Sequence, residues 1–480
     1  MSLRPRLDRP NKSPVFISQL ILISILLLST DVLFAHGSER GLVLLLPTGF
    51  YMVGGAVAVV VSFLLLAKLP VGWLRDRSIG INTSIALPSD RLTSWAGLVF
   101  FVVLISAGLF GSRDPLSNPL PLTVWTLWWV GFTVLQAVVG NLWRWLNPWY
   151  GISNWLCRLF RRPKAMSLTK TTGYSIAVIQ FALFVWFELI FLAPEDPYLL
   201  ALALIAYWLL NLLGCLVFGK NDWLKYAEPF SIFSRLLGAL SSLRFIEERK
   251  RLSRVELHWP GYRLSTLPGI DMAGVLFILL TLSSVSFDGF ARTFTWLSVL
   301  NINPLEFPGR SAVSTGNSIG LLFTFALLSI LYFSCVWIGC RLANRPELVN
   351  QSLGCLVYSL IPISLVFHFA HYFTQFMVNG QYALIAWSDP FNTGVDMFGV
   401  AGNHVTTSFL ASLDSVRLIW TIQTTAIVFG HIAGILVAHK IALRIHSDQR
   451  SAVMSQLPLA ILMVGYTVFG LWLLSTPSIG

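Results

Sequence analysis

The sequence predicts an all-α polytopic membrane protein, a bundle of about ten or eleven transmembrane helices. Hydrophobic residues make up 55% of the 480 residues and charged residues only 11%, whereas a soluble domain has roughly a quarter of its residues charged. The apolar residues also gather in runs of about 20, which is enough to cross a hydrocarbon core. The net charge of +11 arises from Lys and Arg in alternate loops, so it indicates membrane topology and no nucleic-acid partner.

The apolar runs define the predicted spans in chain order, and the loops between them define their orientation. The runs lie near residues 14–35, 50–69, 94–111, 121–140, 172–193, 198–218, 269–288, 315–340, 352–377, 416–440 and 456–475. Every second loop is rich in Lys and Arg, which predicts a cytoplasmic N-terminus, a cytoplasmic segment 219–268, a periplasmic loop 379–415 and a periplasmic C-terminus. We therefore expect a multi-pass protein of a bacterial inner membrane.

The first run also resembles a signal peptide, since basic residues precede an apolar stretch that ends at Ala35. Residues 1–35 are then a signal-like or anchor segment, and residues 36–475 form a single helical domain. Cleavage after Ala35 would leave His36 as the first residue, whose amine and imidazole together can chelate a metal. The alternative is an uncleaved anchor helix with an interfacial histidine.

Ionisable residues inside the spans are candidates for a functional site, because each is costly in hydrocarbon without a partner. His368 and His371 are three residues apart, which puts both rings on one helix face near the predicted outer end of the ninth span. This spacing suits a metal site. Asp288 ends the seventh span on the same side, and Glu188 lies inside the fifth. Both carboxylates have a structural alternative, which is pairing with Arg292 or capping helix ends.

His431 lies deeper, in the tenth span, between Gly430 and Gly434 and with Gln423 two turns away. Glycines at these positions permit close contact with a neighbouring helix. His431 is either a further metal ligand or a residue that hydrogen-bonds one helix to another.

Three segments place a polar residue before proline and an aromatic residue after it, at Asn147, Glu228 and Asp389. Such side chains accept hydrogen bonds from free backbone amides while proline fixes the turn, so the pattern indicates a repeated device at helix ends. The third copy lies in the predicted periplasmic loop. There Asp389 and Asp396 could direct their carboxylates to the histidine pair.

Several short motifs together resemble bacterial integral membrane proteins known as fenitrothion hydrolases. They are Ala35-His-Gly37, Trp223 with Ala227-Glu-Pro-Phe230, Ser286-Phe-Asp-Gly-Phe290, Ala370-His-Tyr372, Gly380-Gln381, Ser388-Asp-Pro-Phe391, Gly430-His431 and Ala438-His439. The resemblance implies hydrolysis of an organophosphorus triester by an inner-membrane enzyme, with a homologous membrane subunit as a partner. The chain departs from the pattern at Val395, where Trp is expected, and in carrying His368, so the ligand assignment stays open.

Such a reaction needs a hydroxide nucleophile and a Lewis acid, and a divalent metal ion supplies both. We expect His368, His371 and Asp288 as ligands, with Asp389 or Asp396 as a further ligand or general base. Glu188 would orient them. An apolar substrate would arrive from the bilayer or the periplasm, below a loop carrying Trp387, Phe391 and Phe398.

Two other functions fit the sequence. One is the binding or transport of a metal such as copper, or of a small molecule, and the other is a non-catalytic subunit of a membrane complex. Transport predicts polar residues through the whole thickness of the membrane, whereas Asn211 is among few such residues recognisable in the cytoplasmic half. This asymmetry favours a site on one side only.

Overall fold

The computed structural model describes residues 43, 46–69, 79–86, 88–160, 166–249, 252–306, 309–400 and 402–476. Within them ten helices are long and apolar enough to cross a membrane, which confirms the predicted fold class. In chain order they are α1 Thr48–Lys68, α2 Asp90–Phe110, α3 Pro119–Val139, α4 Lys170–Leu189, α5 Pro197–Phe218, α6 Met272–Ala291, α7 Arg310–Leu342, α8 Pro346–Ser388, α9 Leu413–Ile445 and α10 Gln449–Ser475. The predicted span 14–35 and the predicted ligand His36 lie outside the described residues.

Consecutive spanning helices alternate in direction, so every second connection lies at the same end of the bundle. One end, called the basic end below, carries most of the Lys and Arg residues. Its described members include Lys68, Arg91, Arg144, Arg158, Lys170, Lys220, Arg341, Arg444 and Arg450. The other end is called the opposite end. It holds the connection from α6 to α7 and the one from α8 to α9.

The centre of the bundle is formed by α6 and α8. In each of them 83% of the apolar window is buried, compared with 22% in α1 at the periphery. Helix α8 packs against α9, α6 packs against α4, and α7 and α10 pack together. The central helices are those that carry Asp288, His368 and His371, so these side chains face protein and not lipid.

Glycines allow the closest of these contacts, as predicted for α9. A Cβ atom on Gly430 would come within 2.3 Å of the Val366 side chain, and one on Gly434 within 2.8 Å of the Ser359 carbonyl oxygen. A residue with any side chain would clash with α8 at these two points. The backbones of α8 and α9 therefore approach each other closely around His431.

Helix α8 is longer than the sequence predicted. It continues to Ser388, so residues 379–388 are helical and the loop to α9 comprises residues 389–412. The polar residues after Asn379 look like the start of a loop, but Gln381 hydrogen-bonds the backbone of Thr406 through both ends of its amide. The returning loop thus satisfies the polar face of the last helical turns.

Helix α3 contains an eleven-residue π-helical segment, Leu122–Phe132, between short α-helical pieces. The helix begins where the Asn118 side chain accepts a hydrogen bond from the amide of Leu120, with Pro119 as the first helical residue. Segments of π-helix are rare and occur often at functional sites. This one presents the carbonyl of Trp129 to α8.

The basic end carries a small sheet that the sequence analysis did not predict. Strands β1 Ile79–Ala86, β2 Leu243–Arg249 and β3 Leu252–Leu257 are antiparallel, with β3 in the centre. Short helices complete this end: Trp143–Leu146, Tyr150–Leu159, Lys220–Tyr226, Pro229–Gly238 and Tyr262–Thr266. The predicted segment 219–268 is therefore a folded layer of three short helices and a hairpin.

All three polar residues before proline act at helix ends or turns, as predicted. Asn147 accepts from the amide of Tyr150, and Glu228 accepts from the amides of Phe230 and Ser231. Asp389 accepts from the amides of Thr393 and Gly394.

A network of buried polar side chains ties α4 and α5 to this layer. Asn211 donates to Gln180 Oε1 at 3.0 Å and accepts from Trp223 Nε1 at 2.8 Å. Gln180 in turn donates to the carbonyl of Ala227. Each member has its partners, which is the usual state of buried polar groups.

Candidate functional site

Asp288 is the centre of a polar cluster at the opposite end of the bundle. Its carboxylate is buried near the end of α6 and contacts three side chains. His371 Nε2 lies 2.7 Å from Oδ2, Arg292 Nη2 lies 3.1 Å from Oδ1, and the Tyr372 hydroxyl lies 2.6 Å from Oδ2. The structural alternative of pairing with Arg292 is thus realised for Asp288.

The Tyr372 hydroxyl also joins Asp288 to Glu188, whose Oε1 lies 2.9 Å away. A tyrosine hydroxyl carries one hydrogen, so it can donate to only one of two carboxyl groups at a time. The second contact requires a proton on a carboxyl group. The pair of acids and the phenol therefore hold an exchangeable proton between α4, α6 and α8.

Glu188 itself lies in the last turn of α4, which ends at Leu189 and not near residue 193 as predicted. The helix ends earlier because Arg310 donates to the carbonyls of Glu188 and Phe191, which replaces the next helical hydrogen bonds. Arg310 also lines an open groove of about 350 Å³, together with Arg113, Pro115, Leu192, Ala193, Pro194, Glu195 and Asp196.

His368 and His371 face different partners although they lie on the same helix. His368 Nε2 donates to the carbonyl of Trp129 in the π-helical segment at 2.8 Å, while His371 contacts Asp288. Both rings still lie at one cluster, because the Tyr372 ring is within 5 Å of each imidazole centroid. Four of the predicted site residues, Glu188, Asp288, His368 and His371, therefore lie in one cluster.

The predicted contribution of Asp389 and Asp396 is wrong. Asp389 is exposed and its carboxylate binds the amides of Thr393 and Gly394, which lowers its pKa. Asp396 Oδ1 accepts from the amide of Val400 and lies beside the hydroxyl of Ser388. Both carboxylates are used inside the loop because short turns supply free amides nearer than the histidines.

The same loop does not cover the histidine pair. Trp387 stacks on Phe100 at 5.3 Å and donates to Thr123, so it is held against α2 and α3. Phe391 and Phe398 are exposed at 41% and 57%. The predicted roof is thus corrected for Trp387, which belongs to α8 and packs against α2 and α3.

The residues do not fit a divalent metal as they are arranged. His368 already donates Nε2–H to a carbonyl, and the carboxylate of Asp288 is occupied by Arg292, Tyr372 and His371. Among the described residues no group of three or more His, Cys, Asp or Glu side chains is placed to hold a metal ion. A metal centre stays a sequence-based prediction, and no chemical step below uses one.

A small cavity lies between the cluster and the core. It has a volume of about 20 Å³ and is lined by residues including Trp129, Glu188, Asp288, His368 and Tyr372. A cavity of 10–15 Å³ holds one water molecule, so this one has room for little more. A bulky substrate would reach His371 from its exposed side, where 22% of the side chain is accessible.

Sequence reasoning missed Tyr372, Arg310 and Trp129 as members of the cluster. Tyr372 follows His371 directly and lies next to the helix face of the histidines, so the sequence could have indicated that it belongs to the cluster. The sequence did not indicate Arg310 or the carbonyl of Trp129. Their contacts depend on where α4 ends and α7 begins, and on the π-helical segment of α3.

The structure also corrects the expected lack of polar residues in the basic half of the membrane. His431 and His439 on α9, His446 at its end and Gln456 on α10 are all buried there. His431 does not join two helices, since its Nδ1 donates to Ile427 in its own helix at 2.8 Å. The polar side chains therefore extend beyond the site at the opposite end.

Comparison with family models, curated protein sequences and solved structures gives no match for this chain. The resemblance to fenitrothion hydrolases thus rests on the short motifs alone.

Proposed function

We propose that the protein is a membrane-embedded hydrolase of apolar organophosphorus triesters, acting at the opposite end of the bundle. The Asp288–His371 pair carries this proposal. A carboxylate 2.7 Å from Nε2 holds the imidazole with its proton on that nitrogen, which leaves Nδ1 as a base. The basic loops support a bacterial inner membrane as the location, with this end in the periplasm.

In the proposed reaction, His371 Nδ1 takes a proton from water while the water oxygen forms a bond to phosphorus. The bond from phosphorus to an aryloxide or alkoxide oxygen breaks, and the leaving group accepts the proton from His371. Asp288 stabilises the imidazolium that exists between these two transfers. The products are a phosphodiester and an alcohol or phenol.

Arg292 is suited to stabilise the negative charge that develops on the phosphoryl oxygen. Its Nε and Nη2 both contact Asp288 Oδ1, and 37% of its side chain remains exposed. The remaining guanidinium N–H groups are therefore able to donate to a ligand, in the way that arginine commonly binds phosphate.

Residue 289, which lies beside His371 Nδ1, is glycine, so no side chain of that residue covers the nitrogen. A Cβ there would lie 3.7 Å from His371 Nδ1 and 3.3 Å from Leu473 Cδ1. The open groove at Arg310 lies at the same end of the bundle, and its volume of about 350 Å³ is within the usual range for small-molecule sites. These features support access for an apolar ester.

The test is hydrolysis of a nitrophenyl organophosphorus triester such as fenitrothion by the purified protein. The released nitrophenol is the product that is measured. We expect His371→Ala and Asp288→Asn to lower kcat by about 10²- to 10⁴-fold, the usual contribution of a general base. His404→Ala is the matched control, because His404 is exposed in the loop after α8. A His371→Ala protein with the wild-type rate would exclude this mechanism.

Measuring bound metal in the same samples separates two forms of the proposal. Loss of both metal and activity in His371→Ala would support the metal-dependent hydrolase predicted from the sequence. Loss of activity with no metal in either protein would support the Asp288–His371 base. A wild-type protein that hydrolyses no organophosphorus triester would leave transport as the better proposal, which the buried histidines of α9 favour.

A further inference from the structure

Helix α9 carries two buried histidines, His431 and His439, and a third, His446, follows its last residue directly. His431, His439 and His446 are separated by eight and seven residues, which at 100° per residue places them within about 80° of one another around the axis. At 1.5 Å per residue the steps along the axis are about 12 and 10 Å. The row therefore runs from the middle of the bundle to the basic end.

Each ring in the row has a nitrogen without a hydrogen-bond partner among the described residues. These atoms are His431 Nε2, His439 Nε2 and His446 Nδ1. Buried polar atoms of this kind are uncommon, and each calls for an explanation. The Asn211 network at the same end of the bundle has its partners, whereas His258 Nδ1, Asp271 Oδ2 and Ser352 Oγ also lack one among the described residues. What distinguishes α9 is that such atoms recur on titratable rings along one helix.

The partnered nitrogens determine which tautomer each ring adopts. His431 Nδ1 faces the carbonyl of Ile427, which can only accept, so Nδ1 carries the hydrogen and Nε2 is a free base. His439 Nδ1 lies 2.6 Å from Gln456 Nε2, which donates, so the hydrogen of His439 is on Nε2. One unpartnered nitrogen is thus ready to accept a proton and the next is ready to release one.

The row continues towards the Asp288 cluster through two hydroxyl groups. The Tyr466 ring centroid lies 6.4 Å from that of His431, and the Tyr466 hydroxyl is hydrogen-bonded to Ser286. Ser286 precedes Asp288 by two residues on α6. Two hydroxyl groups, of Tyr466 and Ser286, therefore lie between the middle of the bundle and the site at the opposite end.

Backbone carbonyls supply polar positions between the histidines. The carbonyl of Ser359 approaches Gly434, which lies between His431 and His439, and it belongs to a short 3₁₀ turn that interrupts α8. Further along, Pro458 inside α10 lacks the N–H that would bond the carbonyl of Met454. Water needs two or more such partners to be held in a protein interior.

We propose that His431, His439 and His446 form a proton pathway that links the Asp288–His371 site with the basic end of the bundle. At His431 a proton binds Nε2 and leaves from the same nitrogen, because the Ile427 carbonyl retains Nδ1–H. At His439 a proton binds Nδ1 once the Gln456 amide has turned its oxygen towards that nitrogen, and the proton on Nε2 then leaves. Water molecules carry the proton over the steps between rings. This function goes beyond ester hydrolysis and takes only the proton as its substrate. It gives the exchangeable proton of Glu188, Tyr372 and Asp288 a route across the membrane.

The pathway ends at His446, the histidine of the row that lies nearest the basic end. His446 is buried, which lowers its pKa, while Asp448 nearby acts in the opposite direction. Arg345 and Glu347 are the other charged groups that act on it. Burial therefore favours the neutral form of His446, which can accept a proton from the ring before it.

The experiment uses the full-length protein in phosphatidylcholine vesicles that contain a pH-sensitive dye. A potassium gradient with valinomycin sets the membrane potential, and the rate of internal pH change is measured. We expect wild-type vesicles to respond faster than protein-free vesicles, and His431→Gln and His439→Gln to fall to the protein-free rate. Glutamine at 431 keeps a donor for the Ile427 carbonyl but carries no exchangeable proton, so a purely structural role would survive the change.

His404→Ala again serves as the control and should conduct as the wild type does. Restoration of flux by added imidazole in His431→Ala vesicles would identify the missing group as a proton carrier. The proposal is overturned if wild-type and protein-free vesicles respond equally at both signs of the potential. It is also overturned if both glutamine variants keep the wild-type rate.

Hydrolysis measured in detergent on the same variants separates this inference from the proposed function. We expect His431→Gln and His439→Gln to retain the wild-type rate there, because neither side chain touches the Asp288–His371 pair. Conduction without hydrolysis would refute the hydrolase and leave the pathway standing. Hydrolysis without conduction would refute the proton pathway and leave the hydrolase standing.

Discussion

At the scale of the residue, the bundle contains two kinds of buried polar side chain. Asn211 and Gln180 bind each other and also bind Trp223 and the backbone. His431 and His439 each keep one ring nitrogen without a partner among the described residues. The first kind stabilises the packing of helices, whereas the second kind costs free energy in a folded protein.

This difference predicts responses of different size to leucine. Asn211→Leu leaves Gln180 Oε1 and Trp223 Nε1 without their partners, so we expect the free energy of unfolding to fall by about 2–6 kcal/mol, at 1–3 kcal/mol for each group. His431→Leu removes a nitrogen that had no partner, so we expect a change below about 1 kcal/mol. Reversible denaturation in detergent, followed by circular dichroism, measures both.

Greater destabilisation by His431→Leu than by Asn211→Leu would show that the histidine serves the fold. In that case its unpartnered nitrogen would not mark a functional position. The comparison is matched because both residues are fully buried in spanning helices.

At the scale of the element, small residues determine how closely the spanning helices approach. Gly339 of α7 faces α10, where an added Cβ would come within 1.9 Å of the Ser455 carbonyl oxygen. A backbone atom cannot turn aside as a side chain does. The separation of α7 and α10 is therefore set at this glycine.

We accordingly expect Gly339→Ala to force α7 and α10 apart and to lower the unfolding free energy by about 1–3 kcal/mol, the usual cost of overpacking. Gly465→Ala on α10 is the control, since a Cβ there meets nothing within 4 Å. Thermal unfolding of the two purified variants in the same detergent gives the comparison. Equal melting temperatures would contradict the close contact.

Most spanning helices could be predicted from the sequence, because length and apolar composition alone determine whether a segment crosses a membrane. The π-helical segment of α3 and the last turns of α8 could not. Those features depend on contacts between distant parts of the chain, such as His368 with the Trp129 carbonyl and Gln381 with Thr406. The three-stranded sheet could not be predicted for the same reason.

For the site, the sequence predicted the members of the cluster in part and did not predict their partners. Asp288, Glu188, His368 and His371 could be selected because ionisable groups are costly in hydrocarbon and need partners. Their actual partners could not be selected. Arg310 and Tyr372 join the cluster through tertiary packing, and Asp389 leaves it because the amides of its own turn are closer.

At the scale of the whole molecule, the charge asymmetry between the two ends predicts the orientation in the membrane. We expect a single cysteine placed in residues 402–407 to react with an impermeant maleimide added to intact spheroplasts, and one placed at 220–226 to react only after lysis. The background is a variant without its five cysteines, which are free in the structure. The reverse pattern would move the Asp288 cluster to the cytoplasmic side.

The central strand of the sheet also restricts how the protein can be assembled during synthesis. Strand β1 belongs to the connection between α1 and α2, yet its partner β3 is made only after α5 has emerged. At 5–20 residues per second, β1 waits roughly 10–35 s for that partner. During this interval four later helices enter the bilayer beside an unpaired strand edge, the kind of edge that invites pairing with another chain. The sheet that joins the connection between α1 and α2 to the segment after α5 is thus completed only when translation has passed Leu257.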